Sequence, residues 1–235
     1  MAIKAVFFDA AGTLIRPTKP VGESYAVLAK EYGKDVPPAE IRERFHSCFS
    51  SAPPLAFPEV SSEELLGLER AWWKDLVRRV FEPWGPFARF DEYFSELFRY
   101  FSSPDSWSLY PETMETLSLL KERRIVLAVI SNFDSRLLGI LNGLGIDSWF
   151  DSILLSSRVG HAKPDPEIFH AALRLHGLKP EEALHVGDSR EKDAAGANQA
   201  GLIGVLLDRN DRVPQDSFPK IRSLKEIVRL TEQGS

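Results

Sequence analysis

Asp9 stands where an apolar run, Ala5-Val6-Phe7-Phe8, gives way to a Gly12-Thr13 turn. Buried parallel strands read as unbroken apolar runs, and open α/β sheets bind ligands outside the carboxyl ends of such strands. Asp9 is therefore placed as a nucleophile or a metal ligand. Three later stretches repeat the arrangement: Ser131-Asn132 after Ile125–Ile130, Lys163 in Ala162-Lys163-Pro164-Asp165-Pro166, and Gly187-Asp188 with Asp193 five residues on. Two residues past Asp9 the chain carries Ala11.

Taken singly, each residue has a duller reading. Asp9 and Asp188 are turn acids, Asn132 a helix cap, Lys163 a solvated loop lysine, and Asp193 a partner for Arg190 or Lys192. Those readings do not explain why all four sit, in order, at the ends of strand-like runs. A parallel sheet brings such ends to one crevice. Acids gathered there repel unless a hard cation lies among them, and Mg²⁺ takes a few carboxylate oxygens, keeps waters and accepts substrate phosphate. Lys163 beside them supplies a point charge suited to phosphate. Thr13, Ser131 and Asn132 offer hydrogen bonds to phosphoryl oxygens.

The elements that must hold these residues alternate. Ile125–Ile130, Ile153–Leu155, Ala183–Val186 and Leu202–Leu207 read as strands, the last of these being the last clear one. Ser135–Leu144, Pro166–His176 and Arg190–Ala200 read as helices between them, and Ser223–Leu230 as a closing helix after a polar loop from Asp208 to Pro219. Strand–helix alternation predicts an α/β fold with a doubly wound parallel sheet. The stretch from Arg16 to Trp107 differs, being aromatic-rich and without strand-like runs. Glu63–Phe81 reads there as one amphipathic helix with Leu65, Leu68, Trp72, Leu76 and Phe81 on its inner face. The expected organisation is a core of residues 1–16 and 107–235 with an all-helical module, 17–106, inserted. Trp72 and Trp73 are assigned to packing.

With 235 residues and a formal charge of −5, the chain can bury a sizeable core and does not favour nucleic acid as a partner. A single cysteine, Cys48, rules out an intrachain disulfide and fits a reducing compartment. No signal peptide or membrane-length apolar run is evident, so a cytoplasmic enzyme is the expectation. The sequence says nothing of oligomeric state.

The motifs Asp9-Ala-Ala-Gly-Thr-Leu14, Ile130-Ser-Asn132, Lys163-Pro-Asp-Pro166 and Gly187-Asp-Ser-Arg-Glu-Lys-Asp193 together resemble those of the haloacid dehalogenase-like (HAD) hydrolase superfamily, in its order and spacing. The insertion then matches the family's helical cap. Trp72-Trp73 and Ser131-Asn132-Phe133-Asp134 further resemble the haloacid dehalogenase-like domain-containing 3 subgroup. The resemblance implies a Rossmann-like core and a covalent mechanism on a small phosphorylated substrate. Asp9 attacks phosphorus to give an aspartyl phosphate. Mg²⁺ is held by Asp9, the Ala11 carbonyl and Asp188, with Asp193 in support. Thr13, Ser131 and Lys163 hold the phosphoryl group, and the cap opens and closes over the site.

In phosphatases of this family an aspartate at the position of Ala11 protonates the leaving oxygen and activates water. A methyl group does neither. General acid–base help contributes roughly 10²–10⁴ in rate, so a slowed phosphatase that favours good leaving groups is expected. Dehalogenases also lack this acid but work without magnesium, which the retained Asp188 and Asp193 argue against. Two alternatives remain. One is an impaired sensor or interaction module. The other is a phosphonoacetaldehyde hydrolase-like enzyme, which carries alanine here and needs a cap lysine, for which Lys30, Lys34 and Lys74 are formally available.

Overall fold

A computed structural model describes residues 2–214 and 218–232. In chain order the elements are β1 (Ala5–Phe8), β2 (Ile15–Pro17), α1 (Val21–Glu31), α2 (Pro38–Ser50), α3 (Ser62–Phe81), α4 (Phe90–Tyr100), β3 (Trp107–Leu109), α5 (Thr113–Glu122) and β4 (Val126–Ser131). There follow α6 (Arg136–Gly143), β5 (Ser152–Leu155), α7 (Ser156–Val159), α8 (Pro166–His176) and β6 (Ala183–Gly187). A π-helical turn, Arg190–Ala195, then leads into α9 (Gly196–Gln199), before β7 (Ile203–Leu207), β8 (Lys220–Ile221) and α10 (Ile227–Leu230).

The main sheet runs β5-β4-β1-β6-β7-β8, and every pairing in it is parallel. Winding proceeds from β1 outward through β4 and β5, then crosses back to β6 and proceeds outward the other way. The reversal on either side of β1 opens a crevice at its carboxyl end. The central strands β1, β4 and β6 are buried on both faces. Val6 and Phe8 face Leu117, Leu137 and Ile227 of α5, α6 and α10, while Ala5 and Phe7 face Ile168, Phe169 and Ala172 of α8.

The expected α/β fold is therefore present, with two differences of detail. A two-stranded antiparallel ribbon, β2–β3, brackets the helical segment. β8 extends the sheet beyond what reads as the last strand. It is only two residues long, too short for an apolar run. Of the expected polar loop from Asp208 to Pro219, residues 215–217 lie outside the described residues.

Between β2 and β3 the chain is helical and has its own aromatic cluster, with Tyr25, Phe81, Tyr93 and Phe94 buried at its centre. Ser61 caps α3 by accepting from the Glu64 amide at 3.3 Å. The inner face of α3 departs from the expected one. Leu65, Leu76 and Phe81 are buried, but Leu68 is exposed and the neighbouring carboxylate Glu69 is only 2% exposed. The carboxylate is tolerated because Oε1 accepts from the Ser135 amide and hydroxyl and from the Ser157 hydroxyl, at 3.0, 2.9 and 2.6 Å. One turn on, the Trp73 indole donates to Asp134 Oδ2 at 2.5 Å. These contacts fasten α3 to the loop after β4 and to α7.

Candidate active site

β1 delivers Asp9 to the crevice, and its amide donates to the Val186 carbonyl at 2.9 Å, tying the β1 and β6 ends together. Ser131 closes β4, and its hydroxyl lies 3.3 Å from Asp9 Oδ1. Lys163 does not leave a strand directly, as the sequence suggests. The short helix α7 follows β5, and Lys163 arrives from the loop between α7 and α8. Asn132 fixes that loop from both sides: its Nδ2 donates to the Lys163 carbonyl and its Oδ1 accepts the Lys163 amide, each at 2.7 Å.

The ammonium of Lys163 bridges two acids, with Nζ 2.8 Å from Asp9 Oδ1 and 2.6 Å from Asp193 Oδ1. Asp9, Asp188 and Asp193 offer carboxylate oxygens all within 4.8 Å of one another. Two glycines make this crowding possible. A Cβ on Gly12, at φ +98°, would stand 2.3 Å from an Asp188 oxygen, and one on Gly187 would stand 2.1 Å from the Asp193 carboxyl carbon.

One lysine thus serves three acids. Burial alone would raise Asp193, but the Lys163 ammonium and the His185 hydrogen bond hold it well below the usual carboxylate range. Burial would likewise lower Lys163, and Asp193 and Asp9 overcome it, so the lysine stays charged. The unmet repulsion falls on the other two acids. Burial and Asp193 push Asp9 up against the pull of Lys163. Asp188 faces the open crevice yet is enclosed enough that lost hydration, then Asp9 and Asp193, push it up to about 7. Surplus negative charge among hard oxygen donors is the environment a divalent cation relieves, so the residues present fit Mg²⁺.

Of the other expected residues, Ala11 lines the same crevice, half-buried, with a backbone bridge to Ile15. Thr13 is fully buried, and its hydroxyl has no hydrogen-bond partner among the described residues. The three lysines considered for a Schiff base are engaged elsewhere. Lys30 pairs with Asp35 at 3.1 Å, Lys74 pairs with Asp91 at 2.9 Å, and Lys34 donates to the carbonyls of Trp84, Gly85 and Pro86. None of the three lines the crevice.

Two residues of the site do not announce themselves in the sequence. His185, which reads as one of five scattered histidines, is fully buried with Nε2 3.0 Å from Asp193 Oδ1. Its place within the β6 apolar run, two residues before Gly187-Asp188, is the available signal. Burial, and then the Lys163 charge, push its pKa down to about 4, so it is neutral and Nε2–H donates. Trp73 reads from its spacing as a packing residue alone. It does pack against Phe49 and Trp72, but it also lines the crevice, which has a volume of 420 Å³.

A family model described as haloacid dehalogenase-like hydrolase matches residues 3–201, which contain every one of these site residues. The chain belongs to that family. Haloacid dehalogenase-like hydrolase domain-containing protein 3 of Homo sapiens is 35% identical over 98% of this chain and 93% of its own length. The glyceraldehyde 3-phosphate phosphatase of Methanopyrus kandleri is 37% identical over 51% of this chain and 56% of its own. Among solved structures, a HAD phosphatase from Thermococcus onnurineus superposes with a TM-score of 0.66 at 26% identity, covering 97% of each chain. No described helix is long and apolar enough to cross a membrane.

Proposed function

We propose that this HAD hydrolase is a Mg²⁺-dependent phosphohydrolase of a small phosphorylated metabolite, working through an aspartyl phosphate and slowed by the alanine at position 11. The observation that carries the reading is the Lys163 ammonium, buried between Asp9 and Asp193 with Asp188 in reach. The phosphatase names of the Methanopyrus and Thermococcus relatives favour it over other hydrolytic chemistry.

In this reading Asp9, the Ala11 carbonyl and Asp188 hold Mg²⁺, with Asp193 behind them, and the ion supplies Lewis-acid neutralisation of the phosphoryl oxygens. Asp9 forms the bond to phosphorus as the bond to the leaving oxygen breaks. Lys163 orients the nucleophile and neutralises the phosphoryl charge, Ser131 donates to a phosphoryl oxygen, and Thr13, whose buried hydroxyl has no partner among the described residues, offers it to the phosphoryl group. Asn132 keeps the Lys163 loop in place and completes that wall. Residues 17–106 act as a cap that excludes water, anchored through Glu69 and Trp73. The second step, attack of water on the aspartyl phosphate, proceeds with no carboxylate at position 11 to take its proton, and is slow.

The test is hydrolysis across a panel of phosphate esters with Mg²⁺ or with EDTA, beside Asp9→Asn. Turnover that needs both the ion and Asp9 supports the reading, and turnover indifferent to either overturns it.

A further inference from the structure

Above its acidic floor the crevice is walled by rings. Phe45 stacks on Phe49 at 5.5 Å and 14°, and Phe49 stacks on Trp73 at 6.1 Å and 25°. Outside the helical segment, Trp107 and Phe133 meet edge to face at 5.7 Å. All five line the space that opens over Asp9. Four of them, Phe45, Trp73, Trp107 and Phe133, also wall a second, almost wholly apolar cavity of 80 Å³.

Polar groups in the upper crevice are few. Among its described lining residues no carboxylate stands outside the Asp9–Asp188–Asp193 cluster. Asn132 spends its amide on the Lys163 backbone, and the Ser189 hydroxyl accepts from the Lys192 amide at 3.2 Å. Exposed His46 and half-buried Lys192 remain, the latter with its ammonium 5.3 Å from the Phe49 ring centre.

From this we infer that the substrate is the phosphate monoester of an aromatic alcohol, its ring held between the Phe49–Trp73 wall and the Trp107–Phe133 wall. The inference rests on the phosphohydrolase reading above. Two independent features converge on it. A sugar or glycerol moiety would bury hydroxyls among rings without acceptors, at roughly five- to hundredfold in binding for each. A flat apolar ring instead gains offset stacking and edge contacts. The second feature is Ala11. An aliphatic alkoxide leaving without a proton is about as basic as hydroxide, whereas a phenol ionises near pH 10 and leaves unaided. In the first step the Asp9 oxygen–phosphorus bond forms and the phosphorus–aryl oxygen bond breaks, its electron pair departing as phenolate, which takes a proton from solvent. Water then attacks phosphorus, the bond to Asp9 breaks, and phosphate and a proton are released.

The deciding experiment compares kcat/KM for 1-naphthyl phosphate, phenyl phosphate, glycerol 3-phosphate and glucose 6-phosphate with Mg²⁺, in the wild type, Phe49→Ala and Asp9→Asn. Aryl esters should lead by at least about 10², and Phe49→Ala should raise KM for 1-naphthyl phosphate about tenfold with a smaller effect on phenyl phosphate. Circular dichroism of Phe49→Ala checks that it folds. Should that variant not fold, wild-type kcat/KM across substituted phenyl phosphates decides the matter, because it reports the step in which phenolate leaves: a steep fall with rising phenol pKa supports the inference, and a flat dependence overturns it. Asp9-dependent turnover led by the polyol phosphates overturns this inference alone. No Asp9-dependent turnover of any ester overturns the phosphohydrolase reading and this inference with it.

Discussion

His185 Nε2 lies 3.0 Å from Asp193 Oδ1, with both side chains sealed from water. The histidine donates to the same oxygen that accepts from Lys163, so one carboxylate is fixed by a neutral donor and a charged one together. Replacing His185 by Phe removes a buried donor and leaves that oxygen to Lys163 alone. The expected cost is about 1–3 kcal/mol of stability, read as a lower urea midpoint with unchanged m-value. A midpoint equal to the wild type's would show that the contact contributes nothing.

The acid cluster predicts an unusual pH response in the metal-free chain. Asp188 is raised from 3.8 to about 7, so it binds a proton more tightly folded than unfolded. Its contribution is fully present below about pH 4 and is lost as pH rises through 7. His185 is lowered from 6.5 to about 4, so its contribution is present above 6.5 and is lost as pH falls toward 4. Between these limits the two oppose each other. Asp188→Asn removes the first and leaves the second, so in EDTA its stability should rise with pH from 4 to 6.5 more steeply than the wild type's. At pH 7 without metal the variant should be the more stable chain by about 1 kcal/mol, a figure discounted because Asp188 faces solvent in the crevice. Adding Mg²⁺ should reverse that order, since only the wild type keeps the full ligand set. Thermal unfolding with and without the ion checks both signs.

Lys163 and the metal divide one task, the neutralisation of three carboxylates. Lys163→Met leaves Asp9 and Asp193 without their common partner, and breaking a buried ion pair from one side costs about 3–5 kcal/mol. The loss should be smaller in Mg²⁺ than in EDTA, because the ion takes over part of the neutralisation. Equal losses in both solutions would mean that no cation enters the cluster.

Much of this architecture can be read in the chain, and for physical reasons. β1 and β4 are buried on both faces, so their runs, Ala5–Phe8 and Val126–Ile130, are apolar without interruption. α8 matches its expected bounds, Pro166–His176, because Asp165 caps it, Pro166 starts it and Gly177, left-handed at φ 62°, ends it. Asp9, Ser131, Lys163 and Asp188 are legible because each follows a run or stands beside a Gly or Pro signal, and Asp193 by its spacing from Asp188. What escapes is set by partners distant in sequence. Glu69 looks like any helix-surface acid until Ser135 and Ser157 fold against it, 66 and 88 residues away. Trp73 differs from Trp72 only in direction, one indole reaching Asp134 and the other the Pro53 carbonyl. Periodicity places a residue on a face, but it does not say what stands opposite.

Glu69 accepts three hydrogen bonds with one oxygen while almost wholly buried. Glu69→Ala strands the Ser135 and Ser157 donors and should cost about 3 kcal/mol. Because those donors lie on the loop after β4 and on α7, the damage should spread to the seam between the helical segment and the sheet. Amide exchange should accelerate at Ser135 and Ser157 while the centre of the sheet, at Phe7 and Val129, keeps its protection in proportion to global stability. Uniform acceleration would mean that the contact supports the whole fold and not this seam.

Ala11 remains the residue on which rate depends. It lines the crevice beside Asp9, half-buried, so a carboxylate there would reach both the leaving oxygen and the attacking water. Ala11→Asp should raise turnover of alkyl phosphates by about 10²–10⁴, equivalent to roughly 3–5 kcal/mol of barrier. For esters of acidic phenols the first step gains little, since phenolate needs no proton, and the gain falls on hydrolysis of the aspartyl phosphate. Rapid-quench experiments with the wild type and 4-nitrophenyl phosphate should therefore show a burst of one phenolate per site followed by slow turnover. In Ala11→Asp the burst should vanish as the second step catches up. A wild-type time course linear from the first turnover, joined to an Ala11→Asp rate no higher, would show that the missing acid is not what limits this enzyme.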